Sequence, residues 1–268
     1  VLDAWRLILD GDGSGPWNMG VDEALLCSAI ESGRATFRLY GWEGPWLSLG
    51  YAQSWSDEEA EHCASADVGV VRRCTGGRAV LHGSDLTYSV AAPESMLPEG
   101  LRPTYELLAR ALLAGLRGLG IEATCRGRPP SRRQPGPAGF DCFAQAATDE
   151  LCVGDQKLVG SAQRRVSGAV LQHGSLRCLP DPGLARQATG LAAVGATSLA
   201  ELGHPPTPAK LREALVAAFS RVLEVRLEPS ALTPLETELA KTRGHEPSPR
   251  LPSQPRGASQ GSPPTADR

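Results

Sequence analysis

One stretch constrains the fold more than any other: Arg72-Arg73-Cys74-Thr75-Gly76-Gly77-Arg78-Ala79-Val80-Leu81-His82-Gly83. A strand-like run over 69–72 enters it, and strand-like runs over 78–81 and 86–92 leave it. Paired glycines let a backbone turn sharply and lie against a ligand, because no Cβ intervenes. Arginines beside such a turn can hold a carboxylate, a phosphate or a thioester-bearing partner. Taken alone, the same residues also read as a Gly-Gly hairpin turn with surface arginines.

Around this stretch the pattern alternates between short strands and helices. Strands are expected over 5–9, 36–40 and 47–51, and Asn18 is placed to cap a helix running to about residue 32. Asp22 and Glu23 fall in its first turn, where acids complement the helix dipole. Ser56-Asp57-Glu58-Glu59 is a capping box that opens a helix to about residue 67. Leucines at 107, 108, 112, 116 and 119 mark a helix over 103–119, followed by a strand over 121–124. Strands over 150–153 and 157–161 meet at Gly154-Asp155, a hairpin signal, and another strand covers 168–176. Helices over 182–188 and 208–223, a strand over 225–227 and a helix over 233–242 complete the ordered part. The expected architecture is α/β of the α+β type: a mixed, mainly antiparallel sheet with flanking helices. It occupies residues 1–243 as one domain, and the Pro/Ser/Gly-rich residues 244–268 form a disordered tail.

One segment stands apart. Residues 127–139 are too rich in Pro and Gly for helix or strand, and Arg126, Arg128, Arg132 and Arg133 make a local positive cluster there. The net charge of −3 gives no sign of a nucleic-acid or anionic-membrane partner, and no apolar run approaches the roughly 20 residues of a membrane helix. The N-terminal residues lack a signal-peptide pattern, so a cytoplasmic location is expected. Seven cysteines without a Cys-x-x-Cys pair make neither a disulfide framework nor a zinc site. Cys27, Cys63, Cys125, Cys152 and Cys178 read as small core residues.

Five motifs in order carry a resemblance over about residues 5–225. They are Trp17-Asn18-Met19-Gly20-Val21-Asp22-Glu23-Ala24-Leu25, Leu47-Ser48-Leu49-Gly50-Tyr51, the Arg72–His82 stretch, Lys157-Leu158-Val159-Gly160-Ser161-Ala162-Gln163-Arg164-Arg165, and Gln172-His173-Gly174-Ser175-Leu176. Together they resemble the lipoate–protein ligase and octanoyltransferase family, whose fold is the biotin/lipoate-ligase catalytic domain. Asp141-Cys142-Phe143 is similar to the nucleophile position of the cysteine-dependent, LipM-type octanoyltransferases. Arg78 stands where many ATP-using ligases carry a third glycine.

The resemblance implies an octanoyltransferase in protein lipoylation. Acyl carrier protein donates the octanoyl group to Cys142 as a thioester, and a lysine of a lipoyl-type acceptor, such as glycine cleavage H protein or an E2 lipoyl domain, receives it. Cysteine suits such a relay, because its thiolate matches the donor thioester in energy. Lys157 corresponds to the family's active-site lysine and would polarise the thioester carbonyl. The same resemblance implies substrate-binding roles for Arg72, Arg73, Gly76, Gly77, Arg78, His82, Gly160, Ser161, Ala162, His173 and Gly174. His82 and His173 are each placed as candidates to take the acceptor lysine's proton or as structural histidines at strand ends. Cys74 is a second thiol near the pocket. No metal and no cofactor are implied, and the acidic carrier suits the arginines at 126–133. An ATP-dependent lipoate–protein ligase, an amidotransferase between lipoyl domains and a non-catalytic acyl or carrier-protein binding module are the alternative expectations.

Overall fold

The computed structural model describes residues 2–125, 150–189, 195–203 and 205–245 of the 268-residue chain. Its frame is a large sheet built from β1 (Asp3–Gly13), β2 (Thr36–Trp42), β6 (Asp85–Pro93), β7 (Thr124–Cys125), β8 (Leu151–Val153), β9 (Gln156–Val166), β10 (Ala169–Arg177) and β11 (Val225–Pro229). The spatial order is β11-β1-β2-β6-β10-β9-β8-β7. β1 runs parallel to both its neighbours, and every later pairing in this sheet is antiparallel. The mixed, mainly antiparallel α/β expectation holds, with one addition. A second sheet, β4-β3-β5, is formed by β3 (Trp46–Leu49), β4 (Gly69–Arg72) and β5 (Val80–His82).

That second sheet corrects the hairpin reading of the Gly-Gly stretch. β4 lies parallel to β3 on one side and β5 antiparallel to it on the other. The connection therefore crosses β3 and brings Arg73–Arg78 over the end of the small sheet.

Helices cover both faces of the large sheet. On one face lie α3 (Leu101–Gly118) and α5 (Pro208–Leu223). Leu108, Leu112 and Leu116 recur every four residues on α3, and with Leu211, Leu215 and Phe219 of α5 they bury against Phe37, Tyr88, Val90 and Val170. Phe37 and Phe219 stack with centroids 4.1 Å apart. On the other face α1 (Gly15–Ser32) packs Val21, Ala24 and Leu25 against Ile8, Ala91 and Leu171. The outer side of α1 is covered by α6 (Pro234–His245), so α1 is buried nearly all round. Arg6 of β1 holds α6 through Glu236, 2.6 Å from Nη1 to Oε1.

Several local expectations change for identifiable reasons. α1 starts before Asn18: Ser14 is its cap, accepting from the Trp17 backbone N–H at 3.4 Å, and Pro16 suits the first turn. The strand expected over 121–124 shrinks to Thr124–Cys125, because the Ile121 N–H turns back to the Leu116 carbonyl and Ala123 to Ile121. Cys125 is exposed there rather than in the core. α2 (Asp57–Ser65) has the expected capping box, with Glu59 N–H on Ser56 Oγ at 3.2 Å and Ser56 N–H on Glu59 Oε2 at 2.7 Å. The hairpin at Gly154-Asp155 is present between β8 and β9. α4 (Pro182–Thr189) packs on α2. α6 continues through Gly244 to His245, two residues into the segment expected as tail, and residues 246–268 lie outside the described residues. Among the described residues no helix is long and apolar enough to cross a membrane.

Candidate active site

A narrow cavity opens between the two sheets. Met19 of α1, Tyr40 and Trp42 of β2, Val80 of β5 and Ala162 of β9 give it an apolar wall. Ser48, Arg73, His82, Thr87, His173 and Ser175 supply polar wall residues, and Gly160, Ser161 and Gly174 complete one side. Seven of the residues singled out in the sequence are thus brought to one place: Arg73, His82, Gly160, Ser161, Ala162, His173 and Gly174.

The remaining sequence candidates surround the cavity without lining it. Arg72 is half-buried and donates from Nη1 to the Gly50 carbonyl at 2.7 Å and the Gln53 carbonyl at 2.9 Å, which fixes the turn after β3. Gly76 and Gly77 are exposed. Gly77 has a φ of 94°, and its carbonyl sits so close to Gly50 that a Cβ there would lie 1.9 Å away. Arg78 is half-buried, and its buried Nη1 has no hydrogen-bond partner among the described residues. Lys157 is fully buried and paired with Glu150, as a buried ammonium requires. Its backbone is held by residues 195–197: Lys157 N–H on the Gly195 carbonyl at 2.8 Å and Thr197 N–H on the Lys157 carbonyl at 2.9 Å. Cys142, with Phe140, Asp141, Phe143 and the arginines at 126, 128, 132 and 133, lies outside the described residues.

The polar wall is organised as two chains of the same kind. In the first, Arg73 donates from Nη1 to Ser48 Oγ at 3.2 Å, Ser48 Oγ lies 2.8 Å from His82 Nε2, and His82 Nδ1 lies 2.8 Å from Asp85 Oδ2. The other side of the Arg73 guanidinium donates to the carbonyls of Gly76 at 2.8 Å and Arg78 at 2.6 Å. In the second, Thr75 Oγ1 lies 2.6 Å from His173 Nε2, and His173 Nδ1 lies 2.8 Å from Asp22 Oδ2. Trp42 stacks on His82 at 3.8 Å and donates from Nε1 to Thr87 Oγ1 at 2.9 Å.

Both carboxylates are anchored further. Asp22 accepts from Arg38 Nη1 at 3.0 Å and from the Tyr40 hydroxyl at 2.9 Å. Asp85 accepts from Ser175 Oγ at 2.6 Å, Thr87 Oγ1 at 3.0 Å and the Gly83 N–H at 3.1 Å. Burial alone would raise each carboxyl. For Asp22 the His173 hydrogen bond and the Arg38 charge outweigh it and hold the group below its usual 3.8. For Asp85 the charge and hydrogen bond of His82, with the Ser175 and Gly83 donors, do the same. Tyr40 is pushed well above its usual range by burial and by the Asp22 carboxylate.

This arrangement corrects the dipole reading of Asp22. It is not an exposed first-turn acid; it is buried in the middle of the α1–sheet contact and serves two strands. Asp22, Asp85, Ser48 and Tyr40 were absent from the sequence candidates. A signal existed for two of them: Asp22 is flanked by residues of an apolar helix, and Asp85 follows His82 by three, a spacing that places imidazole against carboxylate where β5 turns into β6. Cys74 packs among Val21, Ala24 and Leu25, where burial drives its thiol far above the ordinary range, so it is an inert core residue.

On the opposite face of β9 and β10, Gln163 Nε2 donates to Gln172 Oε1 at 2.8 Å and Gln172 Nε2 to the Tyr88 hydroxyl at 2.9 Å. The Tyr88 hydroxyl meets Ser161 Oγ at 2.8 Å. A Cβ on Gly174 would lie 2.5 Å from both Ser161 Oγ and Tyr88 Cε1, which is why that strand position needs glycine.

Comparison with known proteins places this geometry. The sequence matches the Lipoyl protein ligase A/B catalytic domain over residues 14–220. The chain belongs to this family. Within the lipoyl ligase A/B family it is similar to Octanoyltransferase LipM of Symbiobacterium thermophilum, 40% identical over 258 residues that cover 89% of this chain and 93% of the relative. Octanoyltransferase LipM of Kyrpidia tusciae is 38% identical over 267 residues, covering 90% and 94%. Among solved structures, lipoate-protein ligase A bound with ATP has a TM-score of 0.74 at 22% identity, covering 90% of this chain and 94% of that one. A bi-partite lipoate protein ligase and its E2 lipoyl domain from Thermoplasma acidophilum gives a TM-score of 0.67 at 21% identity, covering 90% and 92%. These structural likenesses show the shared catalytic fold.

Proposed function

We propose that this chain is an octanoyltransferase of protein lipoylation that works through a thioester on Cys142. The observation that carries the reading is the similarity to LipM octanoyltransferases along nearly the whole of both chains. The inter-sheet cavity supports it: an apolar wall beside Gly160 and Gly174 suits an unbranched acyl chain.

The cycle is a double acyl transfer. The Cys142 thiolate attacks the octanoyl thioester of acyl carrier protein, a new C–S bond forms as the carrier's C–S bond breaks, and the carrier leaves as a thiolate that takes up the proton released when Cys142 ionised. The amine of an acceptor lysine then attacks the Cys142 thioester, an amide forms, and the thiol is regenerated as the amine loses its proton. Lys157 contributes a fixed positive charge to the developing oxyanion. Glu150 pairs with the ammonium and holds it in place. The acceptor is a lipoyl-type domain, a class supported by the relative that was solved with its E2 lipoyl domain. The catalytic unit runs through α6, because that helix covers α1 and α1 supplies Met19 and Asp22.

Intact mass after incubation with octanoyl-acyl carrier protein, without ATP, tests this directly beside a Cys142→Ala variant. The expected result is one added octanoyl group in the natural chain only. Acceptor modification that requires ATP and free acid, with no adduct on either protein, would establish a ligase instead.

A further inference from the structure

The two polar chains of the wall have a direction, and it can be read from the groups at their ends. Arg73 can only donate, and it donates to Ser48 Oγ. Besides His82 Nε2 at 2.8 Å, the Ser48 hydroxyl has the Val80 carbonyl in reach only at 3.5 Å. Its proton therefore goes to His82 Nε2, which must be an acceptor. Asp85 can only accept, so the His82 proton sits on Nδ1. The second chain follows the same logic. Thr75 is fully buried, and His173 Nε2 is the only hydrogen-bond partner of its hydroxyl among the described residues, so Nε2 accepts there too, and Nδ1 donates to Asp22.

Both chains end on one segment. Through Arg73 the first holds the carbonyls of Gly76 and Arg78, and through Thr75 the second holds the same turn from below. Their other ends stand on β6, α1 and β10, all on the far side of the cavity. We propose that Asp85 and Asp22 are positioning residues of the acyl site: acting through His82 and His173, they fix the Arg73–Arg78 turn against the large sheet and so set the width of the cavity. The histidines are relay members, and neither keeps a free nitrogen for the proton of the incoming amine. In its activity arm the inference rests on the octanoyl-transfer reading; in its structural arm it does not.

The structural arm is the ¹⁵N chemical shift of the imidazole nitrogens at neutral pH in histidine-labelled protein, with His82→Gln and His173→Gln variants to assign the signals. Both rings should be neutral with the proton on Nδ1, the rarer tautomer. A proton on Nε2, or a doubly protonated ring, at either position overturns the relay.

In the activity arm, Asp85→Asn and Asp22→Asn should each lower kcat/KM for the octanoyl donor by roughly tenfold, the worth of about one hydrogen bond to a charged group. Each should also pull the octanoyl-to-dodecanoyl ratio of kcat/KM toward unity, because a loosened turn no longer limits chain length. His82→Gln should lose no more than the aspartate variants, roughly tenfold in kcat/KM, since the amide oxygen can accept the Ser48 proton where Nε2 did. Loss of a general base would instead cost about 100-fold or more, and that result, or an unchanged chain-length ratio in both aspartate variants, overturns the assignment. A natural chain that transfers no octanoyl group sinks the transferase reading alone. The ¹⁵N shifts still decide the tautomers, and octanoate binding followed by thermal shift in the aspartate variants decides whether the turn sets the site.

Discussion

Asp22 and Asp85 end relays of the same form, yet they are solvated by the protein in different ways. Asp22 meets a cation: the Arg38 guanidinium lies 3.0 Å away, itself fully buried over the Tyr40 ring and shared with Asp10 at 2.7 Å. Asp85 is surrounded by His82, two hydroxyls and a backbone N–H. The difference matters because ion pairs fail abruptly. Removing one partner of a buried pair leaves a bare charge in low dielectric, whereas a set of neutral donors loses its bonds one at a time. One relay is therefore tied to the stability of the α1–β2 contact, and the other mainly to the geometry of the cavity.

The sharpest way to break that contrast is truncation. Asp22→Ala leaves the Arg38 guanidinium the neutral Asn18 oxygens and, as a counter-charge, half-exposed Asp10, and should cost about 3 kcal/mol or more. Asp85→Ala removes an acceptor that faces no guanidinium and should cost about 2 kcal/mol. Urea unfolding of the two variants measures the gap; equal losses would mean that Arg38 does not distinguish the sites.

Gly50→Ala should follow. Its Cβ would meet the Gly77 carbonyl, so the turn must move, at about 1–3 kcal/mol for overpacking. The turn is the segment that both relays hold, so activity should fall in this variant even where the loss of stability is small. Steady-state kinetics beside thermal unfolding separates the two effects.

Acid sharpens the comparison further. Both carboxyls titrate below their usual 3.8 in the folded chain, so each contributes stability that is present above that value and lost as pH falls through the depressed folded value. Unfolding free energy should therefore decline below about pH 4. Asp22→Asn and Asp85→Asn should each flatten the decline while lowering the plateau at neutral pH. A decline as steep in both variants as in the natural chain would remove these two groups from the acid limb.

Much of the frame was legible because it rests on local pattern. The leucines of α3, the capping box of α2 and the Gly154-Asp155 hairpin each announce an element through spacing or turn chemistry that tertiary contacts then respect. The small sheet was not legible, since whether β4 and β5 pair with each other or flank β3 is a non-local choice that a run of four residues does not encode. The site divided along the same line. Motifs found His82, His173 and the Gly160–Ala162 run, because their order along the chain survives in sequence. Asp22 was misread, because its partners Arg38, Tyr40 and His173 come from strands 16 to 151 residues away, and a dipole role is the default for a first-turn acid. Arg73 looked like a ligand-holding arginine; in the fold it holds the turn's own carbonyls.

The finest comparison takes one hydroxyl from each carboxylate. Tyr40→Phe removes a donor at 2.9 Å from Asp22, which keeps the Arg38 charge and the His173 N–H. Ser175→Ala removes the 2.6 Å donor from Asp85, whose remaining partners are His82, Thr87 and Gly83. With no guanidinium to carry the balance, Asp85 should feel the loss more: about 1.5–2 kcal/mol for Ser175→Ala against about 1 kcal/mol for Tyr40→Phe. The carboxyl left behind should titrate higher in each variant, and the rise should be larger at Asp85, where no guanidinium helps to hold the value down. Side-chain carboxyl ¹³C shifts across an acid titration read both changes. A larger rise at Asp22 would mean that its hydroxyl, and not the guanidinium, stabilises the charge, and the distinction between the two relays would then rest on geometry alone.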